Sequence, residues 1–461
     1  MESNTDSKIS NGTSRTLIGN LKDKVGQEIL ISGWVDIRRD HGKLIFLDLR
    51  DVTGKVQCVV SQKEQETAYT QANELRPEWV VSIKGKVNAR PEKMVKPEDQ
   101  NGSIEMSIEE IIVLGKAKEL PFELGTEINI DTYLDHLPLT LRTPKTRAIF
   151  KVQSTIIGAF RYFLTNEGFV EIQAPKLIGE DAEGGANSFN VEYFKHVAHL
   201  AQSPQLYKQI MVGVFERVFT TGNVYRAEKH STTRHINEYT SLDIEMGFIQ
   251  DHTDIMKMEN KILVFIMDYL KKVCAKEFAL LKSEIPEVPE KIPTVKLREA
   301  QEILKKEFGI DCENAPDLEP EHERKLCEYS KQKLNSDFIF ITHFPVSKRP
   351  FYTYEDENDL GYTKGADLLF RGIEITTLAQ RIHDYDMLIE AMKKKGLNPE
   401  KFEFYLQAFK YGMPPHGGFG MGLERLTAKL LGLENVKEAT LFPRDLNRID
   451  TLLSTDKKGE K

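Results

Sequence analysis

The sequence predicts an α+β chain in two main parts: a small five-stranded β-barrel, then a larger domain in which an antiparallel sheet is flanked by helices. Three observations lead there. At 461 residues the chain is too long for a single core. Short apolar or alternating runs recur between residues 29 and 114, with one helical stretch among them. Beyond residue 146, two-residue alternation and helical spacing are interleaved.

Composition sets the outer limits. Hydrophobic residues make up 40% and charged residues 29% of the chain, as in ordinary globular proteins. No apolar run approaches the roughly 20 residues a membrane helix needs, so no membrane partner is expected. The start, MESNTDSKISNGTS, lacks the basic and apolar blocks of a secretory signal, so residues 1–14 are expected to be a disordered lead-in and the protein to be cytoplasmic. Cys58, Cys274, Cys312 and Cys327 form no CxxC pair, which suggests neither a disulfide framework nor a zinc site. A net charge of −8 argues against indiscriminate nucleic-acid binding but permits a local basic face.

The barrel, placed at 15–119, is built from ILISGWVDI, LIFLDLRD, KVQCVVS, WVVSIKGKV and SIEEIIVL, with a helix at EQETAYTQANEL between the third and fourth. Five strands and one helix suggest an OB-type barrel. In LIFLDLR, period two sets Phe46, Asp48 and Arg50 against Ile45, Leu47 and Leu49. An outward Phe can be partial core or plain surface, but barrels of this kind stack unpaired bases on such rings.

Residues 120–145, rich in Pro, Thr and charge, are expected to form a hinge. A helix follows, with Ile149, Val152, Ile156, Phe160 and Phe163 at helical spacing and Gly168 as its stop; FVEIQAP then reads as a strand ended by Pro175. A charged helical stretch at about 251–335 looks inserted within the domain assigned to 146–450, and 451–461 is expected to be a frayed tail.

Four stretches carry chemistry. In VYRAEKHSTTRHINEYTSLDIEMGFI, residues 224–249, period two puts Arg226 and Glu228 on one face of a first strand, and Ser241, Asp243 and Glu245 on one face of a second. Arg234 and His235, beside Thr232 and Thr233, supply donors for phosphate oxygens at the connection. In HGGFGMGLERLTAKLLGL, a glycine-rich turn leads Glu424 and Arg425 into a helix. In ADLLFRGIEITTLAQRIHD, Glu374 beside hydroxyls suits Mg²⁺. EGGANSF with AQSPQLYKQ brings Glu183, Gln205 and Lys208. Each alone has a plainer explanation: a solvated hairpin, a packing turn, a surface carboxylate, a solvated lysine. No GxxxxGK[ST] is present, so any ATP site is not a P-loop.

Taken in order, these stretches resemble the three signature motifs of class II aminoacyl-tRNA synthetases behind an OB-fold: the helix from Thr146 to Gly168 with Pro175, then VYRAE…TRHINE, then GMGLERL. QSPQLYKQ, FEFYLQAFKYGMPPHGGFG and LFPRD resemble the aspartyl enzymes, especially their archaeal-type branch. The resemblance implies a ligase that activates L-aspartate with ATP to aspartyl-adenylate, without a covalent enzyme intermediate. It then transfers aspartate to the 3′ end of tRNA(Asp), and whether tRNA(Asn) is charged as well depends on how the barrel treats one anticodon base. It implies a homodimer and catalytic roles for Arg226, Glu228 and Arg425. ATP would be held by those three with Arg234, His235, Ile236, Glu374, Gly422, Leu423 and Glu424, and Mg²⁺ by Glu374 and Thr377. Aspartate would meet Glu183, Gln205 and Asp243 at its α-amino end and Lys208 and Arg381 at its side chain, with Arg226 and Thr377 completing the site. The anticodon would be read by Arg39, Phe46 and Gln57.

Two cations converging on one pocket would leave a neutral amide poorly matched, which favours aspartate over asparagine or lysine without an editing domain. After Glu374, where the family has small residues, the chain has Thr376, Thr377, Leu378 and Ala379, so Leu378 is expected to crowd the substrate or shift Glu374. The alternatives are an asparaginyl enzyme of the same architecture, an RNA-binding paralogue without catalysis, and a stand-alone ligase.

Overall fold

The computed structural model describes residues 15–180, 188–229 and 232–453, so the lead-in at 1–14, Glu183 and the tail from 454 lie outside the described residues. The chain divides between Glu123 and Leu124 into two compact units.

The first unit contains β1 (Glu28–Asp40), β2 (Leu44–Arg50), β3 (Lys55–Ser61), α1 (Glu66–Glu74), β4 (Val80–Ala89) and β5 (Ile104–Gly115). The strands close into a barrel in the order β1-β2-β3-β5-β4. Long β1 serves two neighbours because a bulge between Val35 and Ile37 bends it. Gly85 lets β4 and β5 approach closely; a Cβ there would lie 2.0 Å from the Ser107 carbonyl oxygen. Ile45, Leu47 and Leu49 point inward as period two predicts, joined by Ala68 and Ala72 of α1.

The second unit begins with α2 (Ile130–Asp135) and α3 (Leu137–Thr140), so the stretch expected to be a hinge is itself partly helical. Next comes α4 (Pro144–Asn166), started by Pro144 and by the Thr143 hydroxyl accepting the Thr146 N–H, and followed by Gly168 at φ +79°. The remaining elements are β6 (Val170–Glu171), β7 (Leu177–Ile178), β8 (Asn190–Tyr193), β9 (His196–Leu200), α5 (Gln205–Phe215), β10 (Arg217–Tyr225), β11 (Glu238–Gly247), α6 (His252–Val273) and α7 (Ala275–Leu281). They continue with β12 (Thr294–Lys296), α8 (Leu297–Phe308), α9 (Pro320–Lys333), β13 (Phe338–Thr342), β14 (Gly365–Phe370), β15 (Ile373–Gln380), α10 (Tyr385–Lys394), α11 (Glu403–Lys410), β16 (His416–Gly422) and α12 (Leu423–Leu430).

The main sheet runs β12-β13-β14-β15-β16-β11-β10-β6, and β7-β9-β8 forms a small separate sheet. The interior of the main sheet is antiparallel as expected, but both edge pairs, β12 with β13 and β10 with β6, are parallel, so the sheet is mixed. Parallel neighbours need crossover connections, and helices supply them: α5 between β6 and β10, α8 and α9 between β12 and β13. The stretch 251–335 is helical but is no separate insert. Ile255, Ile262, Leu263 and Leu270 of α6 share one core with Ile149, Val152, Ile156 and Phe160 of α4, and β12 adds the sheet's edge. Leu242, Ile244 and Met246 of β11 face that core, which leaves Ser241, Asp243 and Glu245 on the opposite face.

Candidate active site

A cavity of about 510 Å³ opens over that opposite face, lined by residues from β11, β15, β16, α5 and the loops after β10 and before β14. Its floor is β16. The glycine-rich run expected to be a turn is a central strand, paired on both sides with Asp243 opposite Gly420 and Glu245 opposite Gly418. A Cβ at Gly418 would lie 2.0 Å from the Ile244 carbonyl oxygen and 2.4 Å from Glu245 Oε2; at Gly420 it would lie 3.0 Å from Asp243 Oδ1. The missing side chains give those carboxylates their room.

Lys208 projects from α5 to donate to Asp243 Oδ1 and the Phe419 carbonyl, both at 3.0 Å, and Glu245 Oε2 lies 3.4 Å away. Arg381 donates through Nε to Glu245 Oε1 at 3.0 Å, and through Nη2 to Gln205 Oε1 at 3.3 Å and the Gly418 carbonyl at 3.0 Å. All four charged groups are buried. Burial would raise the Glu245 carboxyl, but Arg381 and Lys208 hold it below the usual range. The two cations therefore do converge, and among the described residues two buried carboxylates, Asp243 and Glu245, stand against them. Among the described residues, Gln205 Nε2 and Asp243 Oδ2 are buried here without hydrogen-bond partners.

On the opposite wall, Arg226 and Glu228 stand just past the end of β10, not on the strand as period two suggested. Asn237 fixes both, its side-chain amide donating to the Arg226 carbonyl at 2.6 Å and the Glu228 carbonyl at 3.2 Å. Its own N–H donates to the Arg444 carbonyl at 2.6 Å. The Arg226 guanidinium lies 5.7 Å from the centre of the Tyr239 ring. His235 Nε2 is 3.8 Å from Glu228 Oε2, and its Nδ1 is 2.7 Å from the Thr232 hydroxyl. Arg234 pairs with Glu323 of α9. Ile236, Gly422, Glu424 and Arg425 line the cavity, whereas Leu423 is turned into the core. Glu424 accepts the Thr240 N–H at 3.0 Å, and burial pushes its carboxyl up to about 7.

On β15 the Thr377 hydroxyl donates to Glu374 Oε1 at 2.7 Å, and Arg425 Nη1 lies 3.6 Å from Glu374 Oε2. Residues three apart on a regular strand face opposite ways. Here β14 and β15 slip register, Leu369 opposing Glu374 while Leu368 opposes Thr376, and the extra residue Ile375 brings Glu374 and Thr377 to one side. Beyond the slip, Leu378 pairs with Phe419 and packs with it and Ile375 in the core, while still contributing to the lining of the cavity. Burial would raise the Glu374 carboxyl, but Arg425, the Thr377 hydroxyl, Arg349 and Arg226 hold it low. Asp367, across β14 from Thr377, shifts the other way: burial raises it, and the charge of Glu374 adds to this against Arg349.

Among the described residues no three His, Cys, Asp or Glu side chains converge on a metal position by themselves. Glu374 and Asp367 are carboxylates that suit a cation needing few protein oxygens, and Asp367 Oδ1 is buried without a hydrogen-bond partner among the described residues. Sequence reasoning did not place at the cavity Asp367 beside Glu374, nor Glu323, Tyr239 and the loop carrying Arg349 and Tyr352. The basic and aromatic cluster KRPFYTY was the one local signal for that loop.

In the barrel, Arg39 is paired in register with Phe46, and Gln57 with Asp48, so the expected anticodon residues share adjacent strands. Arg39 grips Asp48 with two hydrogen bonds of 2.9 and 3.0 Å. Gln57 Nε2 donates to Glu105 at 3.4 Å, and the His41 ring meets Phe46 edge-on at 5.5 Å.

A family model described as tRNA synthetases class II (D, K and N) matches residues 129–446, and one described as OB-fold nucleic acid binding domain matches residues 29–114. The chain is 47% identical to an aspartate–tRNA(Asp/Asn) ligase of Deinococcus radiodurans, over 94% of this chain and 98% of that protein. It is 46% identical to the enzyme of the same description from Thermus thermophilus, over 94% and 99%. The crystal structure of asparaginyl-tRNA synthetase from Pyrococcus horikoshii, complexed with asparaginyl-adenylate, superimposes with a TM-score of 0.88 at 32% identity, over 95% of this chain and 99% of that one.

Proposed function

The chain belongs to the class II tRNA synthetases of the aspartate, lysine and asparagine group, with an OB-fold nucleic-acid-binding domain ahead of the catalytic one, and on that premise we propose that it activates L-aspartate with ATP and charges both tRNA(Asp) and tRNA(Asn). The observation that carries the proposal is the meeting in one cavity of two sets of side chains. Lys208, Arg381, Gln205 and Asp243 lie on the floor; Arg226, Arg234, Arg425 and Glu374 line the walls.

The aspartate α-carboxylate attacks the α-phosphorus of ATP in line, forming aspartyl-adenylate and releasing pyrophosphate. The ribose 3′-hydroxyl of tRNA then attacks the adenylate carbonyl, and AMP leaves with the electron pair of the bond that breaks. Catalysis here is positioning and charge neutralisation. Arg226, held over Tyr239 and anchored through Asn237, suits the α-phosphate, and Arg425 and Arg234 suit the outer phosphates. On the floor, Asp243 Oδ2 can accept from the substrate ammonium and Gln205 Nε2 can donate to a substrate oxygen, which satisfies two buried groups that have no partner among the described residues. Glu374, Thr377 and Asp367 would hold Mg²⁺, which when bound neutralises phosphate charge. The anticodon would be read on the barrel face bearing Arg39, Phe46 and Gln57.

No helix among the described residues is long and apolar enough to cross a membrane, and we place the protein in the cytoplasm. A homodimer is proposed as well; exposed Tyr162, Val170, Leu177 and Val197 on α4, β6, β7 and β9 offer apolar surface for it. Light scattering on the purified protein tests this.

A second reading, activation of asparagine, is favoured by one observation: two buried carboxylates already stand against the two cations of the floor. ATP–pyrophosphate exchange with aspartate, asparagine and lysine offered separately decides between them. Exchange with aspartate alone supports the proposal, and charging of tRNA(Asp) and tRNA(Asn) transcripts then tests the tRNA range. Exchange with asparagine alone establishes the second reading, and no exchange with any of the three favours a non-catalytic RNA-binding paralogue.

A further inference from the structure

We infer that Glu323 is a positioning residue for ATP: its carboxylate, presented by α9, holds the Arg234 guanidinium at the cavity wall and ties that arginine to the strand bearing Glu374. One oxygen does both. Glu323 Oε2 accepts from Arg234 Nη2 and from the backbone N–H of Glu374, the latter at 3.0 Å. The side chains of Glu323 and Arg234 are only 10% and 19% exposed.

Arg234 belongs to the short connection between β10 and β11 and lines the cavity. Its Nε and Nη1 are buried without hydrogen-bond partners among the described residues. A guanidinium with one arm tied and two donors unpaired, beside a polar cavity, is prepared for anionic oxygens. A free arginine on a loop must lose rotamer freedom when it meets a phosphate, and Glu323 removes part of that cost beforehand. The shared oxygen also couples two parts of the site, since the loop carrying Arg234 cannot shift against β15 without giving up one of the two bonds. Glu323 lies 89 residues from Arg234 in sequence, on a helix outside every stretch singled out for its chemistry. A plain brace between α9 and the sheet would show the same contacts, so the test must separate the two roles.

The inference rests on the reading of this cavity as an ATP site but not on aspartate as the substrate. ATP affinity is therefore measured by calorimetry on the full chain, for wild type, Glu323→Ala, Glu323→Gln, Arg234→Ala and the double variants. Glu323→Ala is expected to weaken ATP about tenfold, the weight of a charge-assisted hydrogen bond. In the Arg234→Ala background, the same change is expected to alter ATP affinity less than about twofold, because coupled residues are not additive. Glu323→Gln keeps an acceptor but loses the charge, and is expected to weaken ATP about threefold, between wild type and Glu323→Ala. In exchange kinetics the KM for ATP should rise, while that for aspartate stays within about twofold.

Equal ATP affinity in Glu323→Ala and wild type overturns the inference. So do additive effects in the two backgrounds, or a parallel rise in both KM values with a lowered melting temperature. Should Glu323→Ala fail to fold, the Glu323→Gln pair decides: a loss of about threefold seen alone and absent with Arg234→Ala supports the role, and no loss refutes it. Wild type that binds ATP but exchanges with no amino acid refutes the aspartate proposal, and the calorimetric comparison of the variants then still decides the role of Glu323.

Discussion

The Lys208 ammonium lies 3.0 Å from Asp243 Oδ1 and 3.4 Å from Glu245 Oε2, so this cation is already compensated before any substrate arrives. Amino-acid choice then rests in good part on which buried donors and acceptors a ligand satisfies.

Lys208→Met leaves the buried carboxylates Asp243 and Glu245 without their shared ammonium, with Arg381 still paired to Glu245. Removing one partner of a buried pair costs about 3–5 kcal/mol, and amino-acid-dependent exchange should vanish. Urea denaturation with the exchange assay checks both; unchanged stability would show that the pairing is far weaker than its geometry suggests.

Two glycines of the floor should behave differently. Gly418→Ala sets a Cβ against a carbonyl and a carboxylate at once, and is expected to cost about 4 kcal/mol or more, or to prevent folding. At Gly420 the nearest atom is Asp243 Oδ1 at 3.0 Å, so Gly420→Ala should fold and raise the KM for the amino acid about tenfold. Melting curves and exchange kinetics separate the two outcomes.

Glu259 of α6 is fully buried, and burial, with the charge of Asp367 adding to it, pushes its carboxyl up to about 8. Between pH 4.5 and 8 the unfolded chain releases this proton while the folded chain keeps it, so the group's contribution to stability falls as pH rises through that window. Glu259→Gln removes the effect. Its stability relative to wild type should increase with pH by roughly 1.4 kcal/mol per unit across the window. A flat difference between pH 5 and 8 in urea denaturation would contradict this.

Phe46→Ala on the barrel should lower kcat/KM for tRNA about ten- to a hundredfold, the weight of one stacked base. It should leave ATP–pyrophosphate exchange unchanged, because the exchange cavity is lined by residues of the second unit alone. Equal aminoacylation by variant and wild type would remove Phe46 from the anticodon surface.

What the sequence made legible follows from periodicity. Ile45, Leu47 and Leu49 against Phe46, and Leu242, Ile244 and Met246 against Ser241, Asp243 and Glu245, come out on the predicted faces because regular strands obey period two. The misses lie where that rule lapses. The slip at Ile375 set Glu374 and Thr377 side by side, and no single-residue pattern announces a bulge. β6 and β12 are too short to show alternation, and they are the strands that make the sheet mixed. Four glycines in seven residues resemble a turn, and only pairing on both sides makes β16 a strand. Glu323 and Arg349 reach the cavity from elements distant in sequence, and the pairing of charges on the floor depended on distances that spacing cannot supply.

That glycine strand also bears on how the protein folds. Glycine loses more backbone freedom on ordering than any other residue, about 0.5–1 kcal/mol more than alanine at each position, and β16 brings few side chains to repay it. Its order is lent by β11 and β15 on either side. The floor should therefore be among the last parts of the sheet to become ordered on refolding, so that helical signal returns before the ability to bind substrate. A catalytic surface with its side chains removed is roomy for ligands because it is poor at holding its own shape.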